Sequence, residues 1–110
     1  MNPVIYNNPA DQWIELGGGS RRKIRSFNED IMLVEVDFDE GGIGKDHTHP
    51  HAQISYILSG EFEYHVEGES RIMKPGDSVA VAGGKVHGLT CLKAGTLLDI
   101  FTPMREDFIK

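Results

Sequence analysis

The stretch Gly41-Gly42-Ile43-Gly44-Lys45-Asp46-His47-Thr48-His49-Pro50-His51-Ala52-Gln53, continuing through Ile54-Ser55-Tyr56-Ile57-Leu58-Ser59 to Gly60, decides how the rest of the chain is read. Three of the five histidines fall within five residues. His47, His49, His51 and Gln53 all take odd numbers. On an extended strand residues i and i+2 share a face, so this spacing points four metal-ligating side chains the same way. Neutral imidazole ligates divalent transition metals, and three imidazoles without an ion pack poorly in an apolar interior. An exposed histidine-rich loop is the alternative, and Asp46 and Pro50 favour it.

Outward from this stretch the pattern is β. Met32, Val34, Val36 and Phe38 alternate with Leu33, Glu35 and Asp37, and Phe62, Tyr64 and Val66 alternate with polar neighbours. Lys74-Pro75-Gly76-Asp77 has Pro and Gly where a tight turn uses them. Further short strands are expected over 13–16, 53–58, 78–82, 86–92 and 96–102, with one helical turn in the tail after Pro103. Short strands at such spacing indicate an all-β sandwich or barrel, and the absence of crossover helices excludes a doubly wound sheet. Residues 1–12 read as a polar arm and 13–110 as one domain. Arg21-Arg22-Lys23-Ile24-Arg25, the single basic cluster, reads as a solvated edge strand, with attraction of an anion as the alternative. His65 shares a face with three glutamates and reads as a surface residue.

The balance of 11 basic and 17 acidic residues gives 11 − 17 = −6, which argues against nucleic acid and anionic membrane as partners. It does not oppose a small anionic ligand, because one buried arginine or a metal reverses the sign locally. A single Cys allows no intrachain disulfide and favours a reducing, cytoplasmic setting. No stretch approaches the roughly 18 apolar residues of a membrane span, and the first residues lack the pattern of a secretory signal.

The spacing also resembles the two cupin motifs. In the first, G-x5-H-x-H-x3-E-x6-G, Gly41, His47, His49 and Gly60 fall in register over residues 41–60, with Gln53 in the Glu position. In the second, G-x5-P-x-G-x2-H-x3-N over residues 76–91, Gly76, Gly84 and His87 match, while Ala82 and Cys91 replace Pro and Asn. This resemblance implies a single-domain cupin jelly-roll barrel. It implies one divalent transition metal ion (Zn, Ni, Fe or Mn) held by His47, His49, Gln53 and His87. Glutamine leaves the full charge of the ion, about +2, uncompensated, which favours oxygen-rich anionic ligands and Lewis-acid work. It also departs from the 2-His-1-carboxylate set of many iron oxygenases. His51 either lines the cavity beside the ligands or is turned outward by Pro50. Cys91 reads as a small, inert, buried residue.

On the last strand Leu97, Asp99 and Phe101 share one face, and Leu98 and Ile100 share the other. Asp99 is either a general acid/base in a cavity wall or the partner of a nearby cation. The segment from Leu97 to Phe108, together with His47-Thr48-His49-Pro50-His51 and Arg21-Arg22-Lys23, resembles the KdgF family of small cupins, which open the ring of 4,5-unsaturated uronate monomers to the linear keto form. The resemblance implies a metal-dependent enzyme of uronate metabolism with a small sugar-acid substrate, working as a homodimer. It implies catalytic roles for Asp99 and Arg105, and substrate contacts from Phe101 and Arg105. A non-catalytic cupin that binds a sugar or small acid is the main alternative, and a cupin dioxygenase is the next.

Overall fold

The computed structural model describes residues 4–6 and 12–109. The expected arm, residues 1–12, therefore lies mostly outside the described residues. Ten strands follow in order: β1 (Ile14–Gly17), β2 (Ser20–Phe27), β3 (Met32–Phe38), β4 (Ile43–His47), β5 (Ala52–Ile57), β6 (Glu61–Val66), β7 (Glu69–Met73), β8 (Ser78–Val81), β9 (His87–Lys93) and β10 (Gly95–Thr102). A single 3-10 turn, Glu106–Phe108, closes the chain. A six-stranded sheet has the order β1-β2-β3-β10-β5-β8, and a four-stranded sheet has the order β4-β9-β6-β7. All pairings are antiparallel. Strands consecutive in the chain lie in different sheets at several points, as in a jelly roll.

The period-two pattern places the core. Along β3 the inward Met32, Val34, Val36 and Phe38 are buried while the residues between them are half-buried. They meet Phe62, Tyr64, Leu89 and Cys91 from the opposite sheet. Phe38 and Phe62 pack edge to face with ring centroids 5.4 Å apart. Ile57 and Phe62 have no exposed surface, and burying each such side chain contributes about 1.5–3 kcal/mol.

Turn chemistry sets the register. Pro75 and Gly76 occupy the centre of a turn in which the Asp77 N–H donates to the Lys74 carbonyl at 2.9 Å, with Gly76 at φ 93°. Gly60 answers a different need. A Cβ there would run into the backbone carbonyls of Lys93 and Ala94, so only glycine allows the two chain segments to cross.

Two expectations are corrected. β2 is not an edge strand, because it pairs with β1 on one side and β3 on the other. Its charges alternate between faces: outside, Arg21 reaches Glu15, Asp37 and Asp39 at 3.0–3.1 Å, whereas Arg22 turns inward. Nor do His47, His49, His51 and Gln53 lie on one strand. β4 stops at His47, residues 48–51 form a connection, and β5 starts at Ala52. Pro50 has no N–H for a ladder, and the chain crosses between sheets there.

Candidate metal centre and cavity

The space between the sheets holds a cavity of about 250 Å³. At one end His47 from the end of β4, His49 from the connection and His87 from the start of β9 converge, with ligand atoms within 4.8 Å of one another. His49 and His87 are buried, and His47 is exposed at the mouth. Each ring is oriented by its own neighbourhood. Nδ1–H of His47 donates to the Lys45 carbonyl at 2.8 Å, that of His49 to the His51 carbonyl at 3.0 Å, and that of His87 to the Lys85 carbonyl at 2.9 Å. A carbonyl only accepts, so this assigns the proton to Nδ1 and leaves a lone pair on Nε2. Burial pushes the His49 and His87 pKa values down, which favours the neutral form of both rings.

Gln53 on β5 completes the cluster. Its amide nitrogen donates to Asp99 at 3.2 Å and to Ser55 at 3.1 Å, which turns Oε1 toward the histidines. Oε1 then lies 2.9 Å from His49 Nε2 and 3.1 Å from His87 Nε2. With Nδ1 protonated, each of these contacts sets acceptor against acceptor. A cation placed among the lone pairs turns that repulsion into attraction, and N/O donors of this kind suit a divalent transition metal. The donor set therefore fits a metal ion. It also gives a physical reason for glutamine: its carbonyl faces the cluster while its amide faces a carboxylate, and a glutamate would set one carboxylate against another.

Asp99 sits at the middle of β10, between Val34 of β3 and Ser55 of β5. Ser55 and Gln53 both donate to its Oδ1, and Ser55 also bonds the Tyr64 hydroxyl at 2.9 Å. Protein surrounds the carboxyl, although part of its surface opens on the cavity. Burial pushes its pKa up to about 6, against the opposing pull of the two hydrogen bonds. No cation pairs with it directly among the described residues, so the ion-pair alternative for Asp99 does not describe this structure.

Phe101, two residues on, lies against His49 with centroids 5.6 Å apart. Arg105, expected in a tail, is 9% exposed. Its Nε and Nη2 grip Asp107 at 3.1 and 2.9 Å, and its guanidinium rests 4.2 Å from the Phe108 ring centroid. Asp99, Phe101 and Arg105 thus line the same cavity as His47, Gln53 and His87. His51 does not line it. Its ring is half-buried beside His49 and Phe101, and its Nδ1 is buried without a partner among the described residues. His65 pairs with Asp46 at 2.9 Å away from the cavity. Cys91 is buried, and burial raises its thiol pKa. Ser55, Tyr64, Arg22 and Phe108 also line the cavity and were not singled out for it from the sequence. Odd–even parity from Asp99 would have found Ser55 only with the strand pairing in hand.

Residues 34–101 match the model of the cupin domain family. The chain is also 44% identical over 99 residues to the pectin degradation protein KdgF of Dickeya dadantii, covering 88% of this chain and 90% of that one. The chain belongs to the KdgF family of cupins. Its fold superposes on KdgF from Halomonas sp. with a TM-score of 0.89 at 35% identity, covering 97% of this chain and 99% of that one. An RmlC-like cupin from Shewanella frigidimarina gives 0.87 at 39% identity, with 90% and 89% covered. KdgF-family membership confirms the jelly-roll cupin expected from the two motifs. Among the described residues no helix is long and apolar enough to cross a membrane.

Proposed function

We propose that this protein is a metal-dependent enzyme that opens cyclic 4,5-unsaturated uronate monomers, released from pectin or alginate, to the linear keto form. The observation that carries this reading is one carboxamide, Gln53, linking the histidine cluster to a carboxyl of raised pKa inside a cavity that also holds a buried arginine. The pectin-degrading role in the name of the Dickeya relative supports the substrate class.

His47, His49, Gln53 and His87 would hold a single divalent ion (Zn, Ni, Fe or Mn), which supplies Lewis-acid polarisation of substrate oxygens when bound. The remaining chemistry falls to the protein's own groups. Asp99 takes the proton of the anomeric hydroxyl as the bond between the anomeric carbon and the ring oxygen breaks. The aldehyde forms, and the ring oxygen leaves as an enolate. Asp99 returns the proton to the alkene carbon, the electron pair moves back to that carbon, and the enolate becomes the ketone. No redox partner is needed. Ser55 and Gln53 hold the carboxylate form of Asp99 in place while burial favours its protonated form, so that both states are accessible near neutral pH. Phe101 presents an apolar wall to the sugar face. Arg105, held by Asp107 through Nε and Nη2, meets the substrate carboxylate from the cavity wall.

Ile54 and Tyr56 are exposed on the outer face of the six-stranded sheet, beside Leu98 and Ile100 of the paired strand. This face suits a homodimer. The free thiol of Cys91 suits the reducing cytoplasm. The test joins metal analysis to an NMR time course on unsaturated galacturonate. Metal-dependent appearance of the linear keto form supports the proposal. Ring opening no faster than in buffer refutes it.

A further inference from the structure

Arg21 and Arg22 are adjacent in the chain and opposite in circumstance. Arg21 on the outside meets three carboxylates. Arg22 projects into the cavity, where its guanidinium lies 3.7 Å from the centroid of Phe108. Its Nε is buried and has no hydrogen-bond partner among the described residues. Burial and the neighbouring Arg105 cation both work against its charge.

Arg22 and Arg105 both rest against Phe108, and among the described residues Asp107 is the carboxylate in direct contact with the pair. That carboxylate is committed to the fork of Arg105. A half-buried guanidinium with a buried, unmet Nε–H is costly unless something nearby offsets its charge. Its planar fork matches a carboxylate through two parallel bonds.

The register also sets a length. Arg22 faces Val36, which faces Leu97, so Arg22 lies one inward row along the sheet from Asp99 and two strands across. From ordinary strand dimensions this separates the two Cα atoms by about 12 Å. Once the long arginine side chain leans in, a single sugar acid bridges the interval, with its reacting end at Asp99.

We propose that Arg22 is a specificity-determining residue of this site: a second cation that meets the substrate carboxylate beside Arg105 and strengthens the selection of sugar acids over neutral sugars, with Phe108 as the wall on which both guanidinium groups rest. The inference takes its ligand class from the uronate reading, but its test does not require turnover. The probes are saturated galacturonate and its neutral counterpart galactose, titrated by NMR into the metal-loaded protein. The wild type binds galacturonate at least tenfold more tightly than galactose. Arg22→Met keeps the apolar stem, retains its metal, and weakens galacturonate binding at least threefold while galactose binding is unchanged. In turnover assays the same variant raises KM for the unsaturated uronate at least threefold and changes kcat by less than threefold. If Arg22→Met does not fold, the wild type is modified with phenylglyoxal and mapped by mass spectrometry. Protection of Arg22 by galacturonate but not galactose sustains the proposal, and equal protection overturns it. An Arg22→Met protein that binds galacturonate as tightly as the wild type also overturns it. Uronate preference that depends on Arg22 in a protein that opens no rings would leave this proposal standing while the ring-opening reading fails.

Discussion

Replacing Asp99 by asparagine should separate activity from stability, with opposite signs. The carboxyl is buried, and its pKa rises from 3.8 to about 6. Between these values the folded protein holds a proton that the unfolded chain has released. Stability therefore falls as pH rises from about 4 to about 6, and the loss persists at higher pH. Two units correspond to about 3 kcal/mol, and access from the cavity reduces this, so about 1–3 kcal/mol is expected. Asparagine has nearly the same shape and never ionises. Metal-free Asp99→Asn protein should match the wild type near pH 4 and exceed it by that amount at pH 7, measured by urea unfolding. His49 and His87, whose pKa values are lowered, contribute the opposite slope, but they do so in both proteins and cancel in the difference. Turnover of the unsaturated uronate should drop by about 10²–10⁴ as the proton shuttle is lost, while metal content is unchanged. Stability curves that coincide at every pH, or a variant that keeps wild-type turnover, would refute the reasoning.

Gln53→Glu should hold the metal at least as tightly, since it adds an anionic ligand, yet turn over at least tenfold more slowly because a second carboxylate then faces Asp99; metal analysis and NMR kinetics read both. Gly83→Ala places a methyl group against the Pro50 carbonyl, beside the bond from the Gly84 N–H to the His49 carbonyl at 2.8 Å. It should lower stability by about 1–3 kcal/mol in urea melts and weaken metal retention about tenfold in competition with a chelator. Stripping the metal should abolish ring opening and leave the β circular dichroism intact. Restoration by zinc, which has no redox chemistry, would exclude the dioxygenase alternative.

Much of the fold could be read from local chemistry. The alternation from Met32 to Phe38 and the Pro75-Gly76 turn depend only on neighbours in the chain, and both appear as expected. Spacing drew attention to His47, His49 and Gln53, and the cupin resemblance added His87, although these residues do not share one strand as the spacing implied. They meet because two sheets bring β4, β5 and β9 to one end of the cavity. What stayed hidden depends on pairings across the sheet. Arg21 and Arg22 are equivalent in composition, and their roles separate only when the hairpin after β1 fixes which face each takes. Arg105 was legible only through the family resemblance, because nothing local reveals that the last turn brings Phe108 against its guanidinium. Ser55 and Tyr64 lie nine residues apart in different sheets, and their link to Asp99 has no signature in the linear sequence.

The carbonyl that orients each imidazole lies two residues from it on its own segment. The aim of each ring is thus set by the chain and not by the ion. Rings held in this way would accept an ion with little rearrangement of the chain. A receptacle of this kind would hold an incoming ion to an outline laid down by the backbone itself.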